Sequence, residues 1–415
     1  MRENRVLTPL PTFPTPPTCF RSLTAYFRSF SYGYQVIYQR LELVSRYIDR
    51  MNNIQISRIK TKKYTRRTFL QTSALASAGV LLHGCMTQQK EPLIQVWHLP
   101  KRFSRRSGEL TANVCGTLSS QVKQAKYQLN NGKWLDIVQA EPRVPKPLFT
   151  IEMREEDLRP GTNDLKIEVS TDRGEPETTS LEFEYDPKAI NLPVKVEWSN
   201  ADLEVQDGYW ETFASDNGEW RVRPKPGFES YDRILDVTGA FSGGRRVETD
   251  LIFRSSELED TDLKIYGFGI LPMWGGHKDQ VGVSPRRGWI YSIAWFHPYR
   301  TGGGVEFGYK DGDAPKKWVD SYRQFEPEAG VRYFIKAESW PELDEAGKHL
   351  YHKQRMKWWK EGEPESDLWI EVTDKEGAPL PPGEYAVALI AHECQVDFGP
   401  VTVTSIKGPE ESSDT

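Results

Sequence analysis

From about residue 92 onward, apolar side chains recur at every second position, in short runs broken by Gly, Pro, Asn and Asp. Leu165, Ile167 and Val169 fall in phase, and after a turn at Arg173-Gly174 so do Leu181, Phe183 and Tyr185. Val247, Thr249, Leu251 and Phe253 alternate with Glu248, Asp250 and Ile252. A period of two puts successive side chains on opposite faces of a strand, and helical periodicity is nearly absent, so the pattern predicts an all-β chain. Asn131-Gly132, between two such runs, predicts a hairpin whose two turn positions need φ > 0. The runs fall into two groups. Residues 92–186 carry short strands at the spacing of a small β-sandwich. Residues 195–406 carry longer, more aromatic runs, which predict a large jelly-roll of two curved sheets with a concave face. Between them 187–194 reads as a linker, and 407–415 as a tail. Trp358 and Trp359 are adjacent on a predicted strand and must face opposite sides, so one of them leaves the inner face and lines a groove or lies under a loop.

Upstream the pattern changes. Lys60, Lys62, Lys63, Arg66 and Arg67 precede a weakly apolar run, Ser73 to Leu82, which is too short to span a bilayer as a stable helix. The Arg66-Arg67 pair resembles a twin-arginine export signal, and Leu82-His83-Gly84-Cys85 resembles a lipobox. In that type of signal the Cys is acylated and becomes the new N-terminus. The resemblance makes 51–85 a signal peptide beginning at Met51, with 1–50 a leader or a start assigned too far upstream. It implies a lipid anchor at Cys85 and a cell-envelope location. Met86 after the Cys points to the outer membrane, facing the periplasm or the surface.

Removing 1–84 alters the charge. The whole chain has 54 Lys and Arg against 59 Asp and Glu; without the leader 41 stand against 56, a net charge near −15. So acidic a surface argues against a nucleic-acid partner, because phosphate binding needs a basic footprint. Of the four cysteines only Cys115 and Cys394 remain in the predicted sandwiches, one in each, which argues for buried thiols rather than a bridge. No ligand spacing of a metal site appears, and no cofactor is expected; closely spaced Asp311 and Asp313 leave a structural calcium open, though an acidic turn explains them as well.

Two resemblances refine the fold. The stretch Tyr127–Trp134 with Leu158–Gly174 resembles bacterial immunoglobulin-like spacer domains. "RMKWWKEGEPESDLW", Arg355 to Trp369, resembles a signature of concanavalin A-like lectin/glucanase sandwiches through Lys357, Trp359, Gly362, Pro364 and Trp369. In that motif Gly362 makes a hairpin and Trp359 and Trp369 cross-pack on one face. The expected fold is therefore an Ig-like β-sandwich followed by a concanavalin A-like jelly-roll.

Candidate chemistry follows from the same likeness. Retaining glucanases of this fold place two Glu and an Asp along one strand; Glu248 and Asp250 match in phase, but the second Glu is missing, so both read as polar-face residues. "GFGILPMWGG", "GWIYSIAWF" and "GVEFGYK" resemble, in order, polysaccharide lyases of the alginate and glucuronan type. The resemblance implies Tyr309 for proton abstraction and Arg286, Arg287 and Arg300 for clamping a carboxylate; His277, outside that pattern, is a second candidate base, though a loop histidine explains it as well. Ser292 and Glu306 match the pattern, while Ile270 replaces its Lys. Trp274 and Trp289 are the expected ring-stacking contacts for a sugar. The sequence thus points to a polysaccharide or oligosaccharide partner, bound by a non-catalytic module, or alternatively processed by a lyase or a glycoside hydrolase.

Overall fold

The computed structural model describes residues 92–408 except 138–147, 173, 228–231, 257–265, 279–284, 287, 298–303, 311–316, 326 and 375–379; for 200, 304–310 and 317–324 it describes the backbone alone. Arg66, Arg67, Cys85, Arg287, Arg300, Asp311 and Asp313 lie outside the described residues, as do the side chains of Glu306 and Tyr309. The chain is all-β, with no α-helix among the described residues.

Eight strands come first: β1 (Ile94–His98), β2 (Arg102–Phe103), β3 (Ala112–Leu118), β4 (Val122–Leu129), β5 (Trp134–Asp136), β6 (Leu148–Met153), β7 (Gly161–Thr171) and β8 (Glu177–Tyr185). They form a three-stranded sheet, β1-β3-β6, and a five-stranded sheet, β2-β8-β7-β4-β5. Val114, Phe149 and Ile151 of the first meet Leu165, Ile167, Val169 and Phe183 of the second in one buried cluster, so the alternation read from the sequence is the packing of this sandwich. The β4–β5 turn differs by one residue from expectation. Its positive φ angles fall at Asn130 (52°) and Asn131 (58°), and the Gly132 N–H closes the turn on the Leu129 carbonyl. Asn tolerates the left-handed region well enough that Gly is not needed at the second position.

The larger part begins with β9 (Val194–Val196), β10 (Glu204–Asp207), β11 (Trp210–Ala214), β12 (Trp220–Pro224) and β13 (Asp232–Asp236). Next come β14 (Gly244–Ser256), β15 (Gly267–His277), β16 (Trp289–Phe296), β17 (Gly304–Lys310) and β18 (Lys317–Gln324). It closes with β19 (Arg332–Leu343), β20 (His349–Lys360), β21 (Ile370–Thr373), β22 (Ala386–His392), β23 (Cys394–Phe398) and β24 (Val401–Ile406). A seven-stranded sheet, β10-β13-β22-β15-β16-β17-β18, faces a nine-stranded one whose main path is β11-β12-β23-β14-β19-β20-β21, with β24 and β9 attached at β14. Between them Val247, Leu251, Ile335, Met356 and Trp358 meet Phe268, Ile270, Phe296 and Leu389. Burying a Trp and so many branched side chains supplies on the order of 2 kcal/mol per residue to holding the sheets together.

The seven-stranded sheet is buried on both faces at its centre. Every residue of β15 and of β22 is buried. This is why "GFGILPMWGG" and "AVALIAH" read as nearly continuous apolar runs rather than alternating ones. On the second face Leu271, Trp274, Tyr291, Ile293, Trp295 and Ile390 cluster with Leu110, a residue of the segment joining β2 to β3.

That segment docks the first sandwich onto the second. The buried Arg106 guanidinium pairs with Glu204 and Asp236. Asn113 Nδ2 donates to the Gln206 carbonyl and Gln206 Nε2 to the Thr111 carbonyl, each at 2.9 Å. Trp97 stacks on Tyr209 with centroids 4.4 Å apart. Glu109 forms a parallel bridge with Gly276, whose φ of +97° and lack of a Cβ allow the close approach: a Cβ there would sit 2.1 Å from the Glu109 carbonyl oxygen. Val194–Val196 joins the nine-stranded sheet by pairing with β24, and Arg105 donates to the Pro187 carbonyl at 2.9 Å, so both ends of the predicted linker segment are held.

Candidate functional site

The outward face of the nine-stranded sheet is polar and aromatic. On β14 the odd positions from Val247 fill the core, which sends Arg246, Glu248 and Asp250 outward. On β19 Ile335 and Ala337 fill it, sending out Phe334, Lys336 and Glu338. On β20 Met356 and Trp358 are inside and Arg355, Lys357 and Trp359 are outside. The adjacent tryptophans therefore divide as expected, Trp358 into the core and Trp359 onto a half-exposed surface.

A cleft of about 310 Å³ opens on this face, lined among others by Glu248, Asp250, Arg332, Phe334, Trp359 and Glu365. Two of its lining residues form an aromatic pair. Phe334 and Trp359 are direct cross-strand partners, and their rings stack 5.6 Å apart at 19°. This pairing, rather than one with Trp369, is what Trp359 makes. The Trp369 ring lies 4.1 Å from the Arg355 guanidinium and 4.7 Å from Lys357 Nζ, a cation–π arrangement.

Fixed charges flank the pair. Arg332 grips Asp250 with two bonds, Nε to Oδ1 at 2.8 Å and Nη2 to Oδ2 at 3.0 Å, and Arg221 pairs with the same carboxylate. Lys336 Nζ contacts Glu248 Oε1 at 2.9 Å and Glu365 Oε1 at 2.7 Å, and Lys357 Nζ reaches the same Glu365 oxygen at 2.7 Å. Burial alone would raise Glu365, but the two lysines outweigh it and hold the carboxyl below its usual range. Burial alone would lower Lys336, but Glu365 and Glu248 outweigh it and raise the ammonium. Bonds from Asp250 raise Arg332 further.

This electrostatic state decides the chemistry. Glu248 and Glu365 share Lys336 between them, and a retaining pair of carboxyls requires one kept protonated near neutral pH. Here Lys336 and Lys357 hold Glu365 below its usual range, the opposite of what a general acid needs. A β-elimination base would need a neutral amine, and Lys336 is pushed the other way. What the cleft offers is a half-exposed aromatic pair between groups that donate and accept hydrogen bonds in set positions.

The residues singled out from the sequence gather elsewhere, where β15 ends and β16 begins, against the first sandwich. Trp274 has no exposed surface and donates from Nε1 to Gln206 Oε1 at 3.2 Å. Trp289 is half-buried, edge-on to Trp274 with centroids 5.7 Å apart. His277 is 1% exposed, with neither ring nitrogen hydrogen-bonded. Its Nδ1 is 3.8 Å from Glu152 Oε1 and its Nε2 4.0 Å from Asp207 Oδ2. Burial, with Arg286 adding to it, lowers its pKa to about 3. Burial raises Glu152 against the opposing pull of Arg286 and Arg154, and raises Asp207 well above the carboxylate range, with Asp232 and Glu152 adding to it. Arg286 donates from Nη1 to Glu109 Oε2 at 3.0 Å and from its backbone N–H to Glu152 Oε2 at 2.9 Å, so its charge is spent on the first sandwich.

Ser292 is fully buried, opposite Met273 on β15 and Tyr309 on β17, at a position in phase with Ala294 and Phe296 of the core. Glu306 is opposite Trp295. The structure thus brings Trp274, Trp289, His277 and Arg286 together, with Ser292 one face away; it buries Trp274 and His277 against the first sandwich and leaves Trp289 and Arg286 partly exposed. Phe334, Arg332 and Glu365 of the cleft, and Lys336 beside it, went unnoticed in the sequence. The available signal was the phase of "RYFIKAESW", which puts Phe334 and Lys336 on the face opposite Ile335. Among the described residues no cluster of three or more His, Cys, Asp or Glu side chains is arranged to hold a metal.

No protein-family model and no curated protein matches the chain. Several solved structures are similar to about half of it. A carbohydrate-binding module, CBM66, from Bacillus subtilis shares 12% identity over 49% of this chain and 95% of its own, with a TM-score of 0.31. A marine PL-14 alginate lyase from Aplysia kurodai shares 11% over 48% and 87%, at 0.32. The carbohydrate recognition domain of Emp46p, in a potassium-bound form, shares 12% over 49% and 89%, at 0.31.

Proposed function

We propose that this chain is a glycan-binding protein of the cell envelope, exported and lipid-anchored through Cys85, that holds a polysaccharide or oligosaccharide in the cleft over Phe334 and Trp359. The first sandwich acts as a spacer docked on the binding domain, and its strand order, with β1, β3 and β6 facing β2, β8, β7, β4 and β5, supports an immunoglobulin-like reading. One observation carries the proposal. Two stacked, half-exposed aromatic rings line a cleft whose polar groups are already locked by ion pairs. The apolar C–H groups of a sugar ring pack against this aromatic pair, while its hydroxyls meet Glu248, Asp250 and Arg332 of the lining. The ion pairs favour binding over hydrolysis or elimination for the reason given above.

Calorimetric titration of soluble oligosaccharides tests it. Trp359→Ala is expected to abolish binding while leaving the melting temperature nearly unchanged, because the ring is outside the core. Binding that survives this substitution would place the ligand elsewhere. Appearance of unsaturated uronate on incubation with alginate or glucuronan would establish the lyase reading instead, with Tyr309→Phe as the variant that should silence it. Labelled fatty acid incorporation at Cys85 tests the anchor.

A further inference from the structure

Lys336 and Lys357 are directly opposite one another on β19 and β20 and point to the same face. Like charges in that relation repel, and both side chains are largely buried, 14% and 9% exposed. The pair is held by one shared oxygen, Glu365 Oε1, at 2.7 Å from each ammonium. Glu365 belongs to neither strand. It sits in the turn between β20 and β21, and its own side chain is 42% exposed. One step along the strands, Glu338, with no exposed surface, is shared by Arg246 and Arg355, each at 2.6 Å. On this stretch of the face four cations therefore meet three carboxylates: Glu248, Glu365 and Glu338.

We infer that Glu365 is an internal stand-in for the carboxylate of a bound sugar, and that the ligand class of the cleft is a uronate-bearing glycan. This rests on the reading of the cleft as a glycan site. The chain's own carboxylate occupies the place between Lys336 and Lys357 in the free protein. A uronate residue seated beside the Phe334–Trp359 pair brings an equivalent carboxylate to the same two ammonium groups, and the Glu365 turn yields. Lys357 lies against Trp369 and Lys336 lies 6.0 Å from the Trp359 ring centroid, so both cations stay in place when Glu365 leaves. Because the ligand displaces an internal ion pair, its affinity is lower than two buried lysines would otherwise give, and removing the internal competitor restores it.

The experiment compares wild type, Glu365→Gln, Lys357→Met and Trp359→Ala by calorimetric titration. The probes are oligosaccharides of alginate and polygalacturonate, a sulfated glycan and a neutral β-glucan. Glu365→Gln is expected to bind the uronans about tenfold more tightly, the scale of one charge-assisted contact regained, with the neutral glucan unchanged. Lys357→Met is expected to lose the uronans selectively, and raised salt should weaken uronan binding alone. Thermal melts identify any variant that fails to fold; Glu365→Gln, on an exposed turn, is the variant on which the test rests. Unchanged or weakened uronan binding in Glu365→Gln overturns the inference, as does an equal gain for the sulfated glycan, which would show a site for any anion. If Trp359→Ala loses the neutral glucan while Glu365→Gln leaves uronan binding as it was, the cleft reading stands and only the stand-in role fails. If wild type and Glu365→Gln bind none of the probes, both fail.

Discussion

Replacing His277 by Leu should remove a large part of the protein's sensitivity to acid. In the fold the imidazole is sealed between Glu152, Asp207, Arg286, Trp274 and Trp289, and burial lowers its pKa from 6.5 to about 3. The unfolded chain takes up a proton as the pH falls below 6.5, whereas the folded chain stays neutral until about 3. A depressed folded pKa therefore contributes stability that is complete above the unfolded value and lost as the pH falls between the two. At 1.36 kcal/mol per unit, going from about pH 8 to about pH 4 costs the wild type about 3.4 kcal/mol through this one group. Glu152 and Asp207 act with the opposite sign, because their raised values make the fold favour the protonated acids and lose stability as the pH rises. Both remain in the variant, and Glu109, Arg154 and Cys115 nearby are likewise unchanged. Urea unfolding of both proteins across this range, followed by tryptophan fluorescence, isolates the histidine as the difference between the two profiles. The variant should be as stable as wild type or slightly more stable at about pH 8, since Leu replaces an imidazole with no hydrogen bonds, and should gain about 3.4 kcal/mol on it by about pH 4. Parallel profiles would refute the reasoning and mean that His277 is hydrated or protonated within the fold.

Three further outcomes follow from the same geometry. Gly276→Ala should destabilise by about 3 kcal/mol, read as a lower melting temperature, because the residue sits at φ +97° and its Cβ would meet the Glu109 backbone. Trp358→Ala should cost about 3–5 kcal/mol in chemical unfolding, while Trp359→Ala, one residue on but on the other face, should cost less than about 1 kcal/mol; equal costs would contradict the assignment of faces. Cys115 and Cys394 are buried free thiols, and burial pushes Cys115 up to about 12, so neither should react with a thiol reagent at about pH 8 until the chain is unfolded.

Much of the strand content was written in the alternation itself. Leu165, Ile167 and Val169, or Val247, Leu251 and Phe253, could bury one face only as strands, and local chemistry alone sets that period. The division of Trp358 from Trp359 followed from the same rule with no knowledge of the partner sheet. Where the rule is silent, the fold had to decide. A strand buried on both faces, such as Gly267–His277, carries no phase, so nothing in "GFGILPMWGGH" revealed that Trp274 and His277 would be sealed by Leu110 and Glu109, more than 150 positions earlier in the chain. The cleft was hidden for a related reason. Phe334 meets Trp359, and Lys336 meets Lys357 and Glu365, only through the register of β19 against β20 and the course of the following turn. Local propensity sets which residues share a face; contact between faces distant in sequence is set by cross-strand pairing and sheet packing, and those belong to the folded chain as a whole.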